Sequence, residues 1–181
     1  MTRVPLIDRN ATSVERKQTL DAIHAAFGAT PAMFRAVANS PAALNSMWGS
    51  FAALGDGAIG ARLGEQIAVA IANRNACNYC LAAHTALGMK AGMSAEVMAA
   101  AQAGESSEPK TRAALQFALK LVEQRGQVEA ADVENVRKAG FNDEEIVEIL
   151  AHVALNLFTN YVNIALDVPV DFPTVRLRHA A

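Results

Sequence analysis

The chain has 181 residues, a formal net charge of −2, and a composition that is 52% hydrophobic but only 6% aromatic. That length can bury a core without disulfide staples or structural metals. The mixed charge excludes a nucleic-acid footprint or a polybasic membrane patch. Runs of about eighteen uncharged apolar residues are missing, which excludes a spanning helix. The surplus of Ala with few aromatic residues favours packed helices over strands, so the expected fold class is all-α. Apolar Ala- and Leu-rich faces also suggest subunit contacts and a homo-oligomer. Met1 to Pro5 opens no apolar segment of signal-peptide length, so the expected compartment is the cytoplasm, where a cysteine pair rests reduced.

In chain order, Thr12-Ser13-Val14-Glu15 has the form of a capping box and opens a helix that runs to about Phe27 and stops at Gly28. Pro31 opens a short helix through Phe34 and Val37. Ser40-Pro41 supplies a cap and a first-turn proline for a helix to about Leu54. Gly55, Gly57 and Gly60 mark a loop. Ala61 to Arg74 is strongly helical, with Leu63, Ile67, Ala70 and Ile71 on one face. Asn73 and Asn75 interrupt it, and a new helix is expected from about Asn75 to Lys90. Ser94 caps a short helix ending near Gly104, and the segment 104–109 reads as loop. Helices follow over 111–124 and 130–139. Asn142 with Asp143, Glu144 and Glu145 caps a long apolar helix that ends near Pro169. The tail from Asp171 to Ala181 reads as extended.

A shift of 79 residues places Glu65 on Glu144 and Ile67 on Ile146. The same shift places Cys77, Cys80 and His84 on Asn156, Thr159 and Asn163. This suggests a duplicated helical hairpin in which one copy alone carries reactive groups.

The chemistry concentrates in Cys77-Asn78-Tyr79-Cys80, which holds both cysteines of the chain, with His84 four residues on. Intervals of three and four place Cys77, Cys80 and His84 on one helical face. Unpaired N–H groups in the first turns of a helix favour a thiolate, and so does an adjacent imidazole. Glu65 would lie about 120° off that face on one straight helix. It reaches the cysteines only if the chain bends at Asn73-Arg74-Asn75, and it then serves as proton acceptor or orients the imidazole. Cysteines three apart can bridge with little backbone motion. A zinc shell of two thiolates, an imidazole and a carboxylate is the other chemical reading, although one helical face is an awkward source of a tetrahedral site.

With Glu65-Gln66-Ile67, Cys77-x-x-Cys80, Ala83-His84, Ala91-Gly92-Met93-Ser94, Asn156 to Tyr161 and Asp171-Phe172-Pro173 in place, the sequence resembles the AhpD-like alkylhydroperoxidases of the carboxymuconolactone decarboxylase superfamily. The resemblance covers about 31–173, within a single AhpD-like domain spanning 1–181 in which 1–30 is an N-terminal helical extension. It implies a compact multi-helix fold assembled as a trimer or hexamer, and a peroxidase cycle without metal, flavin or haem. Cys80 would be the peroxidatic thiol and Cys77 the resolving one. Glu65 and His84 would relay the proton, and an external dithiol of lipoamide or thioredoxin type would return the electrons. Some members carry a second histidine just before the later cysteine, where this chain has Tyr79, a phenol that cannot act as a base at neutral pH.

The alternatives are a general disulfide reductase using the same cysteines, and a redox-sensing oligomer without turnover. A lactone decarboxylase fits less well, since that branch does not depend on a cysteine pair. For His152 and Tyr161 on the long late helix, packing against neighbours is the more economical reading. The same holds for Met47, Trp48 and Phe51 as core or interface. His24 and His179 have no partner in the sequence and receive no role.

Overall fold

The computed structural model describes residues 2–178, and among them are nine α-helices and no strand. They are α1 (Val14–Phe27), α2 (Ala32–Val37), α3 (Pro41–Gly55), α4 (Gly60–Arg74), α5 (Asn78–Lys90), α6 (Ala95–Gln102), α7 (Pro109–Glu123), α8 (Ala130–Lys138) and α9 (Asp143–Ala165). The all-α expectation and the order of elements hold. His179 and the end of the extended tail lie outside the described residues.

Helix α4 is central because both of its long faces are apolar. It packs against α5, α6, α7 and α9. Val69 and Ala72 enter one apolar cluster with Leu20 and Ile23 of α1, Phe34 of α2, Leu44 and Met47 of α3, and Leu81 of α5. Ile67, Ala70 and Ile71 enter a second cluster with Leu115 and Leu121 of α7 and Ile149 and Val153 of α9. Removing one such side chain from water is worth about 1.5–3 kcal/mol, so burial on two faces fixes α4 firmly. It carries Glu65, and α5 packs along it.

Local signals explain most boundaries. Ser40 Oγ accepts the Ala43 N–H, and Ser94 Oγ accepts the Val97 N–H. Asn142 and Glu145 exchange reciprocal cap bonds at the start of α9. The capping box expected at Thr12 does not form: Ser13 is the N-cap residue of α1, and its side chain makes no capping bond. A box that the residue types did not advertise, Glu129 with Asp132, caps α8.

The expected hairpin duplication fails on geometry. Helix α9 runs unbroken for 23 residues, where a second copy would need the bend that separates α4 from α5. After it the chain crosses the molecule without regular structure, anchored by Asp171, whose carboxylate accepts the Ala32 N–H at 2.7 Å. Asn73 holds the tail near its end, bonding both the N–H and the carbonyl of Arg178.

Candidate functional site

The bend expected between Glu65 and the cysteines is real, and its construction is local. Asn75 closes α4, and Ala76 then adopts φ +55°, the left-handed region. Cys77 N–H returns to the Ala72 carbonyl at 2.9 Å. Asn75 Nδ2 donates to Asn160 Oδ1 at 3.0 Å, which ties the turn to α9. Helix α5 therefore begins at Asn78, three residues later than the sequence suggested. This changes the role of Cys77. It is the N-cap residue and does not lie on the helix face, and its Sγ accepts the Cys80 N–H at 3.2 Å. Cys80 is the third residue of the helix, where N–H groups still lack intrahelical partners.

The two cysteines form a disulfide, with Cα atoms 5.4 Å apart. Both are buried, Cys77 at 1% and Cys80 at 2% exposure. Asn163 of α9 donates its Nδ2 to Cys80 Sγ at 3.2 Å. One turn beyond Cys80, His84 turns its Nδ1 to Glu65 Oε2 at 2.8 Å. Antiparallel packing of α5 on α4 brings this pair together across nineteen residues of sequence.

His84 lines two separate cavities. The one over Cys80 is small, about 30 Å³, and its walls include Phe27, Phe34, Phe51 and Phe172, with Thr159 and Asn163 as polar contributors. The other, about 140 Å³, is lined by Glu65, His84, His152 and Asn156 among others. Burial holds the His152 imidazole below its ordinary proton affinity. Glu148 and Glu65 pull the other way, and His84 adds to the lowering.

Tyr79 faces the apolar cavity, but it is engaged in structure. Its hydroxyl accepts the Met33 N–H at 3.3 Å, and its ring meets Phe172 edge-on with centroids 5.7 Å apart. Burial, reinforced by the charge of Asp171, pushes the phenol far above its usual range, so it stays protonated at any working pH.

The structure thus brings together all four residues singled out in the sequence and adds Asn163 and Thr159 beside them. Asn163 and Thr159 had one signal, their register on His84 and Cys80 in the 79-residue shift. His152 was read as packing, yet it shares a cavity with Glu65 and His84. Phe51 packs against the core as expected, and it also lines both cavities. Tyr161 is 61% exposed and takes no part. Among the described residues no group of three or more His, Cys, Asp or Glu side chains is placed to hold a metal ion. The arrangement suits two-electron thiol chemistry: a cysteine pair able to open and close, a polar donor to one sulfur, and an imidazole–carboxylate pair able to hold a proton.

Residues 40–124 match the model of the carboxymuconolactone decarboxylase family. No curated protein matches the sequence. Among solved structures, an alkylhydroperoxidase AhpD core, an uncharacterized peroxidase-related protein from Ralstonia eutropha JMP134, superposes with a TM-score of 0.86. It is 26% identical, over 94% of this chain and 92% of that one. An uncharacterized peroxidase-related protein from Silicibacter sp. TM1040 gives a TM-score of 0.82 at 25% identity, over 93% and 91% of the two chains. The debrominase Bmp8, as a cysteine-to-alanine variant with 2,3,4-tribromopyrrole, shares the fold at a TM-score of 0.79 and 19% identity, over 94% and 92%.

Proposed function

We propose that the chain is an AhpD-like member of the carboxymuconolactone decarboxylase superfamily and, on that premise, a thiol-dependent peroxidase working through Cys77 and Cys80. The observation that carries the reading is the bonded cysteine pair set directly before a His84–Glu65 pair. In the reduced protein, Cys80 loses its proton towards His84 and Glu65, and its thiolate attacks the terminal oxygen of the peroxide. An S–O bond forms and the O–O bond breaks. Cys80 becomes a sulfenic acid, and the departing alkoxide takes up a proton to leave as an alcohol. Cys77 then attacks the sulfenic sulfur, releasing water and closing the disulfide. An external dithiol supplies two electrons and two protons and is itself oxidised to a disulfide.

The apolar walls over Cys80 suit the carbon part of an organic hydroperoxide, and a volume of about 30 Å³ suits a small one, or hydrogen peroxide. The near-complete burial of both sulfurs favours a slender dithiol donor, of lipoamide type, over a broad protein face. A general disulfide reductase would need its substrate disulfide to reach the same covered sulfurs.

Single-turnover thiol loss on adding an organic hydroperoxide tests the reading. Wild type is expected to lose two thiols, Cys77→Ser to stop at a sulfenic acid, and Cys80→Ser not to react. Wild-type thiols that survive excess peroxide while exchanging with small disulfides would overturn it in favour of the reductase.

A further inference from the structure

The Glu65–His84 pair has a second side that the peroxidase cycle leaves unused. We propose that His152 is a positioning residue for this pair, holding the Glu65 carboxylate against His84 through water in the cavity that the three side chains share. The inference rests on the thiol reading above and deepens it, by assigning what sets the reactivity of Cys80.

Three observations meet at this cavity. The first is its lining. At about 140 Å³ it has room for several water molecules, and Glu65 from α4, His84 from α5 and His152 from α9 all face it. The space over Cys80 is far smaller and walled mainly by apolar side chains, so water has its natural place on the Glu65 side. The second is an orphaned atom. His152 Nε2 is buried and finds no hydrogen-bond partner among the described residues. Buried polar atoms are rarely left so, and a bridging water is the usual resolution in a polar cavity. The third is Gly64. A Cβ built there would stand 2.9 Å from His152 Cε1, so the residue preceding Glu65 has to lack a side chain for the ring to lie where it does.

The charged and titratable groups around His152 are Glu148 on its own helix, Glu65 on α4 and His84 on α5. Glu148 is already committed, its two oxygens accepting the N–H groups of Ala58 at 2.9 Å and Ile59 at 3.0 Å. Glu65 offers Oε2 to His84 and leaves its other oxygen for the cavity. Burial keeps the His152 imidazole neutral at neutral pH, so it has one donor and one acceptor nitrogen. It can therefore hydrogen-bond a bridging water without placing a cation beside His84. A carboxylate fastened on both sides keeps its aim on His84, and an oriented imidazole favours the Cys80 thiolate.

The test is the pH dependence of Cys80 alkylation by iodoacetamide in the reduced protein, in a Cys77→Ser background where Cys80 is the single thiol. His152→Leu is expected to move the midpoint up by about one pH unit and to slow alkylation about tenfold at neutral pH. The plateau at high pH, where the thiol is fully ionised, stays unchanged. His152→Gln, which keeps a polar group in the cavity, is expected to stay near the parent midpoint. Gly64→Ala, which displaces the ring without removing it, is expected to fall between them. A midpoint unmoved in His152→Leu, or moved equally by Leu and Gln, overturns the proposal. Alkylation needs no peroxide. An unmoved midpoint would thus refute the role of His152 and leave the peroxidase reading standing. Thiols inert to peroxide would refute the peroxidase reading and leave the alkylation result standing.

Discussion

Helices α5 and α9 meet at the cysteine pair, and they contribute different groups to it because one starts there and the other ends there. Helix α5 starts at a bend, so its first N–H groups are free and a thiol placed among them is met by donors: Cys77 Sγ caps the Cys80 N–H. Helix α9 meets Cys80 through Asn163 in its last turn, and what it offers there is side chains. The face it presents is His152, Asn156, Thr159 and Asn163, at intervals of four, three and four. Asn156 and Thr159 bond back to the carbonyls of their own helix, whereas Asn163 donates across to Cys80. The sulfurs thus sit at a helix start, and α9 brings amides, a hydroxyl and an imidazole to the residues around them.

The contrast can be broken first on the α4–α5 side. Glu65→Gln keeps the size of the side chain and removes the carboxylate that meets His84 at 2.8 Å. Peroxide-driven thiol loss, followed by stopped flow, is expected to slow by about a hundredfold, in the range of a lost general acid–base partner. On the α9 side the cost is smaller. Asn163→Leu removes the donor at 3.2 Å from Cys80 Sγ, and the rate at neutral pH is expected to fall about tenfold, as for one hydrogen bond to a charged acceptor. Equal losses in the two variants would mean that α9 takes part in proton movement, contrary to the division drawn above.

Two weaker effects sharpen the comparison through stability. The Tyr79 phenol is held protonated by burial and by Asp171, so the folded state keeps a proton that the unfolded chain gives up above about pH 10. Stability is then lost as pH rises past that value, and Tyr79→Phe is expected to flatten the alkaline side of a plot of Tm against pH. His152 has the opposite sign. Its folded-state proton affinity lies below the ordinary 6.5, so its contribution is whole above that pH and declines as pH falls through the lower folded value. His152→Gln is expected to remove this acid-side decline, by the smallest margin of the four.

Much of the fold was legible because its signals are local. Ser40-Pro41, Ser94 and the Asn142 box announce helix starts by residue type, and α4 shows its apolar face at helical spacing. Glu65 was legible too, since the geometry of a straight helix required a bend and the asparagines marked where it falls. The exact start of α5 was not, because a cysteine serving as an N-cap looks in sequence like one more helical position. The role of His152 stayed open in the sequence for a different reason. Its proximity to Glu65 arises from the packing of α9 on α4, and no periodicity along one helix reports what stands across from it. The failed hairpin repeat shows the converse: residue matches at a fixed shift say nothing of whether the backbone between them bends.

Ala76, in the turn between α4 and α5, holds a backbone conformation that glycine would adopt with less strain, and its side chain is exposed. The methyl group costs on the order of 1 kcal/mol in the folded state. It also limits how many shapes the unfolded turn can sample, a restriction that glycine would lift. The same restriction narrows the motion of the folded turn, and so it sets how tightly the spacing between the carboxylate on one helix and the sulfur on the next is defined. A protein engineer who relaxed this residue to glycine would trade local strain for conformational freedom, and the loss would register as blurred alignment between Glu65 and His84 before any loss of fold.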